Sequence, residues 1–180
     1  MMTLKKQRKI LFLRRLILAL MLLVLSLLQN TDGFFLQIFG VRALLLIPAV
    51  VCIAVFERDF AGLFFGLLAG ALWDAAAGGA SFRALYLMAV GYLCGVLINT
   101  LMRCNIMTAT LLSAGAVLLY ELAAWLIAYP LAGLDRAVFM LLRYYLPGAV
   151  YSLVFAPVLF ILVHTVQKKY SVNPTVHSTD

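Results

Sequence analysis

The sequence predicts an all-α membrane protein with about six transmembrane helices, and two observations carry that prediction. Of the 180 residues, 66% are hydrophobic and only 12% are charged, and the mean hydropathy is +1.08. A soluble domain of this length is about half apolar and a quarter charged, and one core could not bury so much apolar surface. In addition, the apolar runs are about 20 residues long, which is the length that crosses a ~30 Å hydrocarbon layer.

Six apolar segments have about that length. They cover residues 10–28, 35–56, 60–80, 84–102, 106–131 and 144–167. The polar turns between them, such as 57–59 and 103–105, are too short for a separate domain. We therefore predict one membrane domain over residues 10–169, after a basic cytoplasmic segment (1–9) and before a polar, disordered tail (170–180).

The first span contains Arg14 and Arg15, whose long side chains can reach the membrane surface. A cleaved signal peptide is the rival interpretation, since "KKQRK" precedes an apolar run. The following "LSLLQNTDG" lacks a small-x-small cleavage pattern, so an uncleaved signal anchor is favoured.

The basic residues predict the orientation, with both termini in the cytoplasm. That topology leaves only Arg42, Arg83, Arg136 and Arg143 outside. The ten cytoplasmic residues are Lys5, Lys6, Arg8, Lys9, Arg14, Arg15, Arg58, Arg103, Lys168 and Lys169. The net charge of +7 then reflects topology and attraction to anionic lipid. No nucleic-acid partner is expected, because the N-terminal basic run is too close to the first span.

Glycines recur every four residues in the third span, and one carboxylate continues the row. The row is Gly62, Gly66, Gly70, Asp74 and Gly78. Residues four apart share one helix face, and glycine there lets a second helix approach closely. The fourth span carries Gly91, Tyr92 and Gly95. Because the connection between the two spans is short, we expect their glycine faces to meet as antiparallel neighbours.

Asp74 and Glu121, in the fifth span, are predicted to lie at one depth, in the outer half of the membrane. An unpaired charge near the bilayer centre costs about 2.5–3.5 kcal/mol on insertion scales, so each carboxylate should be protonated or paired. Arg143 is the first candidate for the partner of these carboxylates. Arg83 and Arg42 lie on the same side, and Tyr120, Tyr144 and Tyr145 could donate hydrogen bonds.

Two interpretations of these carboxylates remain open: a proton-coupled or catalytic dyad, or buried polar fasteners between helices. A dyad normally has a nucleophile, metal ligands or a base at the same depth, and no HxxxH, HExxH or GxSxG motif occurs. The three cysteines, Cys52, Cys94 and Cys104, form no CxxC pair. The fastener interpretation is favoured, and no enzyme activity, cofactor or metal is predicted.

The stretch "FERDFAGLFFGLLAGALWDAAAGGASFRALYLMAVGYLCG", residues 56–95, resembles the rod-shape-determining membrane protein family MreD. The resemblance rests on a charged turn, a GxxxGxxxG helix followed by Asp and Gly, and a second helix ending in G-Y-x-x-G. Two departures affect the outer turns: Ala43-Leu44 stands where the family often has Pro-Asp, and Ser81-Phe82-Arg83 where it often has Leu-Gly.

The resemblance implies a non-enzymatic scaffold in the bacterial cytoplasmic (inner) membrane, where lateral peptidoglycan synthesis sets the cell shape. The implied partners are a bitopic MreC-like protein, with MreB-like, RodA-like and transpeptidase components, in contact with membrane lipid. The implied interface is the helix-packing row Gly62, Gly66, Gly70, Asp74, Gly78, Gly91, Tyr92 and Gly95.

Two alternatives to the scaffold remain open. The first is a substrate-binding membrane subunit of an energy-coupling-factor vitamin transporter, whose S-component fold also has six spans and about this length. Its first helix often carries an AxxxA face, whereas here "LILALMLLVLSLL" has only Ala19. The second is a small membrane enzyme with Asp74 and Glu121 as acid and base, which lacks a recognisable cation or phosphate site.

Overall fold

A computed structural model describes residues 4–31, 37–38, 41–57, 59–78, 82–100, 104–128 and 137–170. These ranges are helical apart from a short antiparallel pair of strands and a few turn or irregular residues, such as 43–45 and 77–78. The helices are α1 (Leu4–Asn30), α2 (Leu46–Glu57), α3 (Asp59–Ala76), α4 (Arg83–Thr100), α5 (Ile106–Ala128), α6 (Ala137–Met140) and α7 (Leu146–Lys169). A π-helical turn, Leu141–Tyr145, joins α6 to α7, and β1 (Gln37–Ile38) pairs with β2 (Val41–Arg42).

Four helical segments of the described chain are long and apolar enough to cross a membrane. They are Lys6–Asn30, Arg83–Thr100, Ile106–Ile127 and Leu141–Lys169, and two shorter apolar helices cover Leu46–Glu57 and Phe60–Ala76. The predicted all-helical class is therefore confirmed, with four membrane-length helices.

The short helix α2 is the centre of the bundle. Every side chain from Leu46 to Val55 is buried, and α2 packs against α1, α3, α4, α5 and α7. A helix that is apolar on all sides is stable only when other elements surround it. The surrounding helices keep large apolar side chains on their outer faces, including Phe64, Leu93, Leu119 and Val154.

The prediction of one helix over residues 35–56 is wrong in its first half. Residues 37–38 and 41–42 form the strand pair, 43–45 are not helical, and α2 begins only at Leu46. Pro48 explains the late start, because proline has no N–H and is tolerated only in the first turn of a helix. The amide N–H groups at this start bind side chains of other helices: Leu44 N donates to Ser152 Oγ (2.8 Å) and Leu46 N to Gln29 Oε1 (3.0 Å).

Other boundaries differ by less. The third segment stays helical to Ala76, not to residue 80, and the sixth helical region begins at Ala137, inside the loop predicted over 132–143. Residues 4–9, assigned to the basic N-terminal segment, are the first turns of α1. The tail predicted to be disordered lies outside the described residues after Tyr170.

Candidate functional site

The predicted contact between the glycine faces is the seam between α3 and α4. A Cβ added to Gly62 would lie 2.5 Å from the carbonyl oxygen of Gly91. At Gly66 and Gly70 it would collide with the backbone of Leu87 and Ala84, closer than real Cβ atoms approach. Successive glycines of α3 meet residues of α4 with successively lower numbers, so the two helices are antiparallel. Glycine is required because the obstacle is backbone, which cannot move aside like a side chain.

Asp74 follows the three glycines on α3 and lies at the end of this seam. Its Oδ2 accepts a hydrogen bond from the backbone N–H of Ala84 at 3.1 Å. Because α4 begins at Arg83, this N–H is one of the first amide groups of the helix, which have no partner within the helix. A carboxylate at a helix N-terminus is also favoured by the helix dipole. Asp74 therefore caps α4 from α3, and the glycines bring the two backbones close enough for it to reach.

Arg83 closes the same end of the seam. Its Nη1 lies 3.9 Å from Asp74 Oδ1, too long for a direct hydrogen bond, and its guanidinium lies 5.2 Å from the ring centroid of Trp73. Its Nε donates to the hydroxyl of Tyr120 on α5 at 3.4 Å. The cation thus contacts an anion, an aromatic face and a hydroxyl that come from two other helices.

Aromatic contacts tie this end of the seam to α5. The Tyr120 ring lies 5.3 Å from the rings of both Trp73 and Tyr86, within the range of favourable aromatic pairs. The Tyr86 hydroxyl donates to the carbonyl oxygen of Ala116 at 2.5 Å. We call Trp73, Asp74, Arg83, Tyr86 and Tyr120 the seam cluster.

Two predicted site residues, Gly78 and Tyr92, have other positions than expected. Gly78 continues the spacing but lies beyond the end of α3 with φ +75°, and nothing lies near its added Cβ. It serves the turn after α3, because glycine adopts positive φ without strain. On α4, Gly95 is buried, whereas Tyr92 is exposed on the outer side of the helix.

The partner predicted for the carboxylates is also corrected. Arg143 is exposed in the π-helical turn, and the arginine beside Asp74 is Arg83. Glu121 is half-buried on α5, 15 residues after Ile106, just as Asp74 is 15 residues after Asp59. Within the described ranges, no hydrogen bond or ion pair reaches Glu121. The two carboxylates therefore have different surroundings.

The sequence reasoning missed a second polar cluster, centred on Glu57 at the opposite end of α3. The Glu57 side chain is only 1% exposed and accepts a hydrogen bond from Gln167 Nε2 at 2.8 Å. Arg14 Nε lies 2.7 Å from its Oε1, although the N–H is not aligned for a hydrogen bond, and Arg15 Nε lies 3.6 Å from its Oε2. We call these four residues the Glu57 cluster, which joins α1, α2 and α7.

The sequence pattern places Glu57 in a short charged turn, where acidic residues are usually solvated. The signal for its position was the pair Arg14 and Arg15 inside an apolar run, since a buried arginine needs a counter-charge.

No metal site is present in the part of the chain that the structure describes: no group of three or more His, Cys, Asp or Glu could hold an ion. Cys52 and Cys94 are buried free thiols, and Cys104 is exposed. Comparison with protein-family models, with curated proteins and with solved structures finds no match. A functional assignment therefore rests on the sequence motif and on the geometry of the two clusters.

Proposed function

We propose that the chain is a non-enzymatic scaffold of the cell-elongation machinery in the bacterial cytoplasmic membrane. In this role it organises lateral peptidoglycan synthesis together with a bitopic MreC-like protein, and with MreB-like, RodA-like and transpeptidase components. The family resemblance of residues 56–95 is the reason for proposing this particular machinery. The structure supports a role in helix packing.

The supporting observation is that the resemblance motif is used for helix packing. Gly62, Gly66 and Gly70 contact the backbone of α4, and Asp74 caps its N-terminus. One oxygen of the Asp74 carboxylate is thus engaged in helix capping, which supports a packing role for this residue. A rigid antiparallel hairpin leaves the outer faces of α3 and α4, with Phe60, Phe64 and Leu85 exposed, available to lipid or to other helices.

We also propose that α2 and α3 cross the membrane, which gives six crossings with both termini in the cytoplasm. Twelve residues of α2 span about 18 Å, and three extended residues add at most ~10 Å, close to the ~30 Å needed. Residues 43–45, which have no regular secondary structure, would supply that length. Non-helical backbone inside a membrane is tolerated only when protein groups form hydrogen bonds with its N–H and C=O groups. Here the side chains of Ser152 and Gln29 accept hydrogen bonds from two backbone N–H groups at the start of α2.

The test of the scaffold is restoration of cell shape in a rod-shaped bacterium depleted of its own MreD protein. We expect the native chain to restore rods. Gly66→Leu should not, because the side chain meets the backbone of Leu87 and costs more than about 3 kcal/mol of folding stability.

Gly115→Leu is the matched control, since nothing lies near an added Cβ at Gly115 on α5. It should accumulate in the membrane like the native chain. Failure of the native chain itself to restore rods, despite normal accumulation, would contradict the proposed role.

A further inference from the structure

The Glu57 cluster carries more positive charge than its carboxylate neutralises. Two arginines face one buried carboxylate, and Arg14 takes the closer position, at 2.7 Å. Arg15 is held only through its Nε at 3.6 Å, and its side chain is 58% exposed. Its remaining guanidinium N–H donors bind no other residue in the described ranges.

Two lysines follow the α7 residue of the Glu57 cluster directly in the chain. Gln167 Nε2 binds the same Glu57 oxygen that Arg14 contacts, and the next residues on α7 are Lys168 and Lys169. Both lysine side chains are exposed. Glu57 thus fixes the relative position of Arg15 and of the end of α7, and three exposed cations share one end of the bundle.

The surroundings match a membrane surface and not an aqueous one. Leu16 and Leu20, exposed apolar residues, follow Arg15 on α1, and Phe12 is 70% exposed one turn before it. Lys168 and Lys169 at the end of α7 lie at the depth of lipid headgroups, and Arg15, inside the apolar run of α1, can reach that depth with its stem in the acyl region. An arginine guanidinium with free donors binds a phosphate oxygen pair well.

We infer that Arg15, Lys168 and Lys169 form a binding site for the phosphodiester headgroup of an anionic phospholipid, where Glu57 holds Arg15 directly and holds the end of α7 through Gln167. Lipid binding here does not depend on which proteins the chain assembles with. It differs from diffuse attraction to a charged surface because the buried Glu57 contacts both Arg15 and Gln167, the residue that precedes the two lysines.

The experiment titrates the purified full-length chain, in a neutral detergent, with phosphatidylglycerol and separately with phosphatidylcholine. A bound lipid raises the unfolding midpoint, so the midpoint gives an apparent affinity. We expect stabilisation by phosphatidylglycerol only, and weaker stabilisation at high salt. Arg15→Gln, or Lys168→Gln with Lys169→Gln, should weaken the apparent affinity about fivefold per charge removed.

Lys6→Gln is the matched control, since Lys6 is exposed on the same helix, nine residues before Arg15. It removes the same charge and should leave the affinity unchanged. These variants keep the Arg14–Glu57 pair, so their midpoints without lipid should equal that of the native chain. Equal weakening by Lys6→Gln and Arg15→Gln would overturn the site in favour of diffuse attraction. Equal stabilisation by phosphatidylcholine or by soluble glycerol phosphate would overturn it as well.

Discussion

At the scale of single residues, Asp74 and Glu57 show what sequence can and cannot predict about buried charge. The fastener role of Asp74 followed from its place in a glycine row, and its contact with α4 agrees with it. The sequence did not identify which arginine pairs with Asp74, because Arg83 and Arg143 are both predicted on the outer side of the membrane. Only the fold shows that Arg83 is the arginine beside it. Glu57 was missed because a charged turn after an apolar run looks like a solvated loop.

The cap formed by Asp74 predicts a difference between two substitutions. Asp74→Ala leaves the Ala84 N–H without its acceptor and should lower the free energy of unfolding by about 1 kcal/mol. Asp74→Asn keeps an oxygen acceptor, so it should stay closer to the native chain and restore cell shape. The measurement is unfolding in mixed micelles alongside the shape assay. If Asn were as damaging as Ala in both assays, the charge itself would be needed and the dyad interpretation would regain support.

At the scale of elements, hydropathy located the six helical regions but not where α2 begins. Residues 35–45 are as apolar as a helix requires. Hydropathy, however, does not distinguish a helix from strands such as Gln37–Ile38 and Val41–Arg42. Pro48 was the local signal for the late start. The acceptors of the Leu44 and Leu46 amides lie 108 and 17 residues away in the chain, so only tertiary structure could reveal them.

The start of α2 predicts the effect of removing one of these acceptors. Ser152→Ala removes the partner of the Leu44 N–H, and an unsatisfied buried amide costs about 1–3 kcal/mol. Thr165→Val is the control on the same helix, since Thr165 is exposed and bonds only to Ile161 within its own helix. We expect it to change the free energy of unfolding by less than about 0.5 kcal/mol. Equal effects of the two variants would contradict a role for Ser152 in α2.

At the scale of the whole molecule, the bundle has a central helix that is apolar from Leu46 to Phe56 and polar clusters toward both ends. The Glu57 cluster joins α1, α2 and α7, and the seam cluster joins α3, α4 and α5. Composition predicted a membrane protein, and the four described helices that are long and apolar enough to cross a membrane are compatible with that class. Which chain segments cross was less predictable, since α2 is shorter than a membrane-spanning helix.

The crossing number is tested by labelling single cysteines in intact cells. With six crossings, Arg58→Cys lies inside and reacts with a membrane-impermeant maleimide only after permeabilisation. With crossings by the four long helices alone, the same position lies outside. Phe82→Cys, exposed at the opposite end of the bundle, should react from outside in both cases. The exposed Cys104 is replaced by serine in each variant. Labelling at residue 58 in unbroken cells would contradict the six crossings.

The most direct test of the scaffold is affinity purification of the full-length chain from native membranes in mild detergent, followed by mass spectrometry. The account predicts recovery of an MreC-like protein with a glycan polymerase and its transpeptidase, and loss of these proteins when Gly66→Leu disrupts the seam. Recovery of paired ATPases with a coupling membrane subunit would contradict it and assign the chain to vitamin uptake.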